Sequence, residues 1–457
     1  LGKGGSGSGS GTGSTSGSSS GSSSSSGSTS GSGTVSSGRL LATATLDPCV
    51  GLSDGLLHLF VFFSVMFGHW LSDVIWDARY NSKGLIVLFI EALHLFLLIC
   101  AASCIEDVYK LEHDGSRWWW FCVFNMCSTL IWVFRYLEIA TTARESNMRL
   151  EASTMVESLV GSIVLIVIAF SYASSPNDDG NYYPALLLLI LSTLFWPLRM
   201  LYNALLAPPS LKARYQEVTT PLNVSFMIHR VNEFTMLMLG ETVLQLVIAP
   251  WPEGTTSEPG SFSELAEMSD GQWHYVVANA SGLIIVLVML HSHVMTFPQT
   301  PERHGVSKGV ISMVAYFMLL LLKSMFLMAV GIGVKIVLYE PDAQGFTDGQ
   351  LEESRLFLGL ALCCVHLGEC LLKVNHEGFS WFLSKQILSF EHPRLSLAIV
   401  ARLSVPIVML ALCNLNVEPW VYILIQAALS FGQSIALAVE DYDRYHHLKQ
   451  GVDHHHA

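Results

Sequence analysis

The sequence predicts an all-α protein, a polytopic bundle of transmembrane helices, and two observations support that prediction. Hydrophobic residues make up 51% of the chain and charged residues only 13%, whereas an average soluble domain carries about 25% charged residues. Apolar runs of bilayer-spanning length recur from Gly55 to Ala438, and such a span needs about 20 residues at ~1.5 Å each. Because the backbone polar groups of a lipid-embedded segment must be satisfied internally, these runs are expected to be helices.

Eleven candidate spans follow one another along the chain, and the ambiguous runs allow any number from nine to twelve. In order, the spans lie near residues 55–76, 84–105, 118–139, 154–173, 184–206, 229–249, 273–297, 309–338, 355–374, 395–415 and 419–439. The eighth run is long and contains Gly331 and Gly333, so we expect it to tilt, break or extend past the membrane. Pro406 is expected to kink the tenth.

The segments around these spans divide the chain into three parts. Residues 1–38 are almost wholly Gly, Ser and Thr, a composition that cannot bury apolar area and predicts a disordered tail. Residues 39–440 are predicted to form the transmembrane domain, and residues 441–457 a short cytoplasmic C-terminal tail. The nine cysteines include no Cys-x-x-Cys pair, and most lie inside apolar runs, so we interpret them as packing residues.

Basic residues alternate between the two sides of the predicted bundle. They occur in the loops after spans one, three, five, seven and nine and in the C-terminal tail, and the loops after spans four, six and ten have none. The positive-inside rule then places the N-terminus outside and the C-terminus in the cytoplasm. An odd number of spans is required for that arrangement.

The sixth span, His229–Ala249, combines an apolar length with several polar side chains, which fall on one half of the helix surface. They are His229, Arg230, Glu233, Glu241 and Gln245. A carboxylate near the centre of a span, such as Glu241, costs on the order of 3 kcal/mol or more without a partner, a proton or water. We therefore expect this half to face a polar cavity, whereas Arg230 and Glu233 are equally compatible with an interfacial anchor.

Span one carries an i, i+4, i+8 ladder of His69, Asp73 and Asp77. Histidine and carboxylates at this spacing favour a proton relay, because imidazole exchanges protons near neutral pH. A divalent metal site is the second interpretation. In the third, Asp73 and Asp77 simply lie at the cytoplasmic end of the helix.

Two further helices each carry a glutamate and a histidine three residues apart, Glu91 with His94 in span two and His366 with Glu369 in span nine. Di-iron bundles ligate metal with Glu-x-x-His pairs, but they use two such pairs and additional carboxylates. We therefore favour protonatable core sites for both pairs, and assign no metal and no cofactor.

Two basic residues lie within apolar runs and need partners there. Lys323 is expected to pair with a carboxylate such as Glu241 or Glu369, or to face water. Arg402 cannot become neutral, so it requires a countercharge or an aqueous path.

Three stretches resemble the low temperature requirement protein A (LtrA) family. HRVNEFTMLMLGETVLQL, beginning at His229, is similar to its signature helix through the core Leu-Gly-Glu-Thr. YFMLLLLKSMFLMAVGIG, beginning at Tyr316, is similar to its Tyr-rich helix ending in Gly-x-Gly, and HLFVFFSVMFGHWLSD, beginning at His58, resembles its aromatic-rich first helix. The resemblance implies an integral membrane protein linked by name to growth in the cold, and implies no particular substrate.

These features together predict a proton-coupled transporter or ion-conducting protein with a polar cavity at the midplane. The candidate proton-binding or transport residues are Glu241, Glu233, Arg230, His69, Asp73, Glu91, His94, Lys323, His366, Glu369 and Arg402. A membrane metalloenzyme built on Glu91, His94, His366 and Glu369 is one alternative, and a non-catalytic sensor of temperature, lipid or ligand is the other.

The remaining patterns bear on activity and partners. The sequence contains no nucleophile elbow, P-loop, HExxH or dinucleotide fingerprint, so we predict no catalytic residue. The net charge of −13 without a basic face argues against a nucleic-acid partner. The expected partners are the lipid bilayer, a small ion or small-molecule substrate, and a second copy of the chain in a homo-oligomer.

Overall fold

A computed structural model describes most of the chain after residue 51. The described residues are 52–80, 84–105, 116–173, 182–206, 222–248, 270–298, 300–339, 348–377 and 393–455. They contain helices and no β-strand. The Gly/Ser-rich residues 1–38 lie outside this set.

Eleven long helices make up the described residues, which confirms the all-α prediction. In chain order they are α1 (Leu52–Tyr80), α2 (Leu85–Ser103), α3 (Ser116–Thr142), α4 (Ser146–Ala173), α5 (Tyr182–Leu205), α6 (Val224–Val247), α7 (Asp270–Thr296), α8 (Val310–Tyr339), α9 (Asp348–Glu377), α10 (Pro393–Ala411) and α11 (Pro419–His455). Ten of these are apolar and long enough to cross a membrane. The other, α6, carries Arg230, Glu233 and Glu241 within its length.

Two helices continue where the sequence suggests an interruption. The eighth runs unbroken through Gly331 and Gly333. These glycines serve helix contacts, because a Cβ at Gly331 would lie 3.0 Å from the Cα of Thr242 on α6, and small residues allow such close approach. The last helix, α11, continues through residues 441–455, which the sequence analysis assigns to a tail.

The helices pack as two halves, which meet where α1 and α5 of the first contact α6 and α8 of the second. In the first half (α1–α5), α2 contacts α3, α3 contacts α4, α4 contacts α5, and α1 contacts α3 and α5. In the second half (α6–α11), α8 contacts α6, α7, α9 and α11. The first helix also packs on α6 and α8, and α5 packs on α8, so α8 is the element that both halves share.

The outer surface of the described bundle is strongly apolar, and α2 shows this best. Within its length only His94 and Ala101 are buried, whereas Leu85, Ile86 and Phe89 are largely exposed. Lipid tails solvate such side chains well. The helix therefore presents most of its surface outward and one histidine inward.

Candidate functional site

A deeply buried ion pair of the second half joins α8 to α9. Lys323 Nζ lies 3.1 Å from Glu369 Oε1, and the two side chains are only 2% and 3% exposed. Of the two carboxylate partners that the sequence suggests for Lys323, the structure provides Glu369. Desolvating both charges is expensive, and their mutual attraction offsets only part of that cost.

Lys323 also contacts a histidine of α7, which extends the pair towards α6. Its Nζ lies 3.1 Å from His293 Nδ1, so the ammonium donates and Nδ1 accepts. The proton of the neutral ring is then on Nε2, which donates to Asn232 Oδ1 at 3.1 Å. Asn232 is only partly buried.

On the other side of the pair, a second histidine links Glu369 to α11. His366 Nδ1 lies 3.6 Å from Glu369 Oε2, and His366 Nε2 lies 3.2 Å from Ser430 Oγ. Both His366 and Ser430 are completely buried. We call the resulting series the ionic chain. Its members are Ser430, His366, Glu369, Lys323, His293 and Asn232, from helices α11, α9, α9, α8, α7 and α6.

A second buried ionic cluster satisfies Arg402. Its guanidinium forms an ion pair with Glu440 of α11, and Nη2 donates to Cys370 Sγ at 3.5 Å. Lys373 of α9 lies 3.4 Å from Glu440 and 2.7 Å from Asp441. Two bases and two carboxylates therefore neutralise one another among α9, α10 and α11.

The buried histidines of the first half are held by neutral hydrogen bonds instead. His69 Nε2 lies 2.6 Å from Asn125 Oδ1, which accepts, so Nδ1 is free to accept from the Ser128 hydroxyl at 3.2 Å. His94 Nε2 accepts from the Trp132 indole at 3.2 Å. The His69 and His94 rings lie 5.5 Å apart between centroids.

Glu91, the neighbour of His94 on α2, pairs instead with Arg135 of α3. The distance is 3.2 Å, and the Glu91 side chain is 38% exposed. The Arg135 guanidinium also lies over the Trp76 and Trp132 rings, 4.6 and 4.9 Å from their centroids. These cation–π contacts stabilise the buried end of the arginine.

The two Glu/His pairs of the sequence are therefore used in different parts of the bundle. Glu91 binds Arg135, and Glu369 binds Lys323. Within the described part of the chain, no group of three or more His, Cys, Asp or Glu side chains could hold a metal ion. The four residues of the metalloenzyme alternative therefore do not form one metal-ligating group.

A cavity of about 80 Å³ lies beside His69, between α1, α3, α4, α5 and α8. Its polar lining includes Asn125, Thr129 and Ser162, and most of the remaining lining is apolar. Among the described residues that line it, none carries an Asp, Glu, Lys or Arg side chain. This cavity is therefore separate from both ionic clusters.

The side of α6 that carries its charged residues is not the side that packs against the other helices. Its buried side chains include Thr235, Leu239 and Thr242, and the Thr242 hydroxyl is within 3.0 Å of the Leu327 carbonyl of α8. Glu241 lies at the edge of this face, half-buried, where its carboxylate accepts from Gln245 Nε2 at 2.7 Å.

The other charged residues of α6 lie near its N-terminal end. Glu233 pairs with Arg230 at 2.7 Å and with His229 at 3.1 Å, and these side chains are substantially exposed. This geometry fits the interfacial anchor. On α1, Asp73 is half-buried and interacts electrostatically with Asp77, Glu91, Arg135 and Arg230.

The sequence analysis identified the buried charged and histidine residues, but it did not identify most of the side chains that contact them. Asn125, Asn232 and Ser430 carry no distinguishing pattern, because any span contains such residues. Glu440 had one usable signal, since Arg402 required a countercharge and the apolar run of α11 ends in an acidic pair.

A family model described as Bacterial low temperature requirement A protein (LtrA) matches residues 37–430. No curated protein and no solved structure matches the chain. The matched range takes in the whole ionic chain, from Asn232 to Ser430, and stops before Glu440.

Proposed function

The chain belongs to the low temperature requirement A family, and we propose that it is a proton-coupled transporter whose proton-binding site is the Lys323–Glu369 pair. The observation that carries the proposal is the ionic chain, in which this buried pair has a histidine on each side. Ionisable groups held inside a membrane protein indicate function more often than stability.

The chemistry of these groups suits proton exchange. A lysine and a glutamate can both become neutral in an apolar site, whereas the Arg402–Glu440 cluster contains a guanidinium that stays charged. A proton taken up by Glu369 removes the countercharge of Lys323. That loss favours transfer of a lysine proton to His293 Nδ1, and the imidazolium can then release its other proton at Nε2, beside Asn232.

We also propose the orientation in which the end of α11 is cytoplasmic. The basic loop residues support it, and Arg303 and Lys308 lie in the connection between α7 and α8. The ionic chain then approaches the cytoplasmic end through His293, which lies in the last turn of α7.

Proton flux into liposomes tests the function. Purified protein is reconstituted with a trapped pH dye, and the liposomes are diluted into buffers that supply inward gradients of protons and of chloride, nitrate, acetate or phosphate, with and without a potassium diffusion potential. We expect the wild type to acidify the lumen in at least one buffer. Glu369→Gln is expected to reduce that rate to the rate of protein-free liposomes, because Gln cannot take up the proton.

Two matched variants sharpen the test. Glu157→Gln changes an exposed glutamate that pairs with Arg199, and it is expected to keep wild-type flux. Glu241→Gln tests the other carboxylate that the sequence suggests as a partner of Lys323. If Glu241→Gln abolishes proton flux and Glu369→Gln does not, the assignment of the proton-binding site to the Lys323–Glu369 pair is wrong. No flux above protein-free liposomes in any buffer would contradict the transporter itself.

A further inference from the structure

Three buried polar rings meet where α7 connects to α8. His304 precedes the short helix Gly305–Lys308, Tyr316 lies on α8, and His376 lies near the end of α9. The His304 ring centroid is 4.5 Å from that of His376 and 4.7 Å from that of Tyr316. Their exposures are 1%, 0% and 4% for His304, Tyr316 and His376. Together with Phe297 we call them the ring cluster.

The hydrogen bonds of the two histidines determine which nitrogen carries the proton. His304 Nδ1 accepts from the Val306 amide at 3.3 Å, and His376 Nδ1 accepts from the Gly305 amide at 3.0 Å. Each neutral ring therefore carries its proton on Nε2. Burial lowers the pKa of His304 to about 4, so this ring is neutral near pH 7.

Three polar atoms of the ring cluster have no hydrogen-bond partner among the described residues. His304 Nε2, His376 Nε2 and the Tyr316 hydroxyl are all buried without a hydrogen bond to any described residue. Leaving a buried donor unsatisfied costs about 1–3 kcal/mol, so three in one place point to a ligand that accepts hydrogen bonds. A metal ion does not fit, because the free nitrogens already carry protons.

We propose that the ring cluster binds a small anion, and that this anion is the solute carried with the proton. Two N–H groups and one O–H group supply donors, and two lysine side chains act electrostatically on His376. The Lys308 ammonium contacts the His376 carbonyl oxygen, and the charged side chains acting on His376 are Lys308 and Lys323.

Phe297 connects the ring cluster to the ionic chain. Its ring centroid lies 5.3 Å from the His376 ring and 4.3 Å from the His293 ring, and Lys323 Nζ lies 5.4 Å from it. An anion leaving the ring cluster past Phe297 therefore meets Lys323. Protonation of Glu369 leaves the Lys323 ammonium without its countercharge, and an anion that pairs with this ammonium keeps it protonated. Only when the anion has left does the proton pass to His293, which couples the two solutes. This step rests on the proposed function, whereas the anion site itself does not.

Anion-dependent stability tests the site without any flux. Thermal unfolding of the purified wild type is measured in sodium chloride, nitrate, acetate or phosphate against sodium gluconate at constant ionic strength. We expect at least one of these anions to raise the unfolding temperature in a saturable way. Tyr316→Phe removes only the hydroxyl oxygen. His376→Asn removes Nε2 and keeps an acceptor for the Gly305 amide. Each variant is expected to weaken apparent anion affinity about tenfold.

Tyr136→Phe is the matched control, because Tyr136 is a buried tyrosine of the first half whose hydroxyl also lacks a hydrogen bond within the described residues. It should keep the wild-type anion response. The proposal is overturned if no anion acts differently from gluconate, or if Tyr316→Phe responds as the wild type does. Tyr316→Phe removes a single oxygen atom and is expected to fold, so it tests the anion site even if His376→Asn does not fold. If proton flux does not depend on the anion, the proposed coupling is wrong but the anion site can stand. If the anion binds but no flux is seen, the transport function is wrong and the anion site can stand.

Discussion

The two halves of this bundle bury polar groups in different ways. In the first half, His69 and His94 are held by neutral partners, Asn125, Ser128 and Trp132, beside a cavity without charged walls. In the second half, fully buried lysines and an arginine are held by carboxylates from other helices. A neutral imidazole is satisfied by one or two short polar side chains, whereas a buried charge requires a countercharge.

This difference is the reason for placing the proposed proton-binding site in the second half. The first half also buries two arginine side chains, but the partner of each is more exposed than Glu369: Arg135 pairs with Glu91, and Arg79 pairs with Glu151. Arg135 also stacks on tryptophans, a feature of an arginine near an interface. In the Lys323–Glu369 pair, by contrast, neither side chain is exposed within the described residues. Substitutions at Lys323, His69 and Glu91 test whether the two halves differ in this way.

The largest effect is expected for Lys323→Met. Removing the ammonium leaves the Glu369 carboxylate buried and uncompensated, which lowers the free energy of unfolding by about 3–5 kcal/mol. The double variant Lys323→Met with Glu369→Leu should recover most of that loss, because neither charge remains. Denaturant unfolding in mixed micelles measures both. Equal instability of the single and double variants would show that packing, and not charge, is the cause.

A smaller effect is expected for His69→Leu in the first half. Asn125 Oδ1 and the Ser128 hydroxyl lose their partner, and the cost of leaving neutral groups unsatisfied is about 1–3 kcal/mol. His69→Gln should be milder, because its amide N–H can still donate to Asn125. The same unfolding measurement compares them, and a loss as large as that of Lys323→Met would remove the contrast between the halves.

The smallest effect is expected for Glu91→Gln. Its side chain is 38% exposed, and such pairs contribute about 1 kcal/mol or less, while the tryptophan contacts of Arg135 persist. Raising the salt concentration should weaken the wild-type contribution further. If Glu91→Gln destabilises the protein as strongly as His69→Leu, this ion pair belongs with the buried set.

Much of the fold could be predicted from the chain, because lipid imposes a strict length and polarity on each span. The bounds of α8 show the remaining difficulty. Gly331 and Gly333 suggested a break, yet the helix is continuous. Both glycines instead allow a neighbouring helix to pack closely against α8. Whether a glycine breaks a helix or allows close packing can be decided only when the neighbouring helix is known.

The candidate site was harder to predict, as α6 demonstrates. Glu241 has the most conspicuous position in the sequence, but Thr235, Leu239 and Thr242 supply the packed face of the helix. Glu369 became the buried carboxylate because Lys323 of α8 lies opposite it. Helical periodicity predicts which residues share a face, but the facing helix decides whether that face is buried.

Composition and the length of an apolar run belong to each segment alone, so they were enough to predict a helical membrane protein with ionisable groups inside its spans. Tertiary structure decided which of those groups meet. The Lys323–Glu369 pair, the neutral His69 site and the ring cluster around His304 each combine side chains from separate helices, and only the packing of those helices brings their atoms within hydrogen-bonding or electrostatic range.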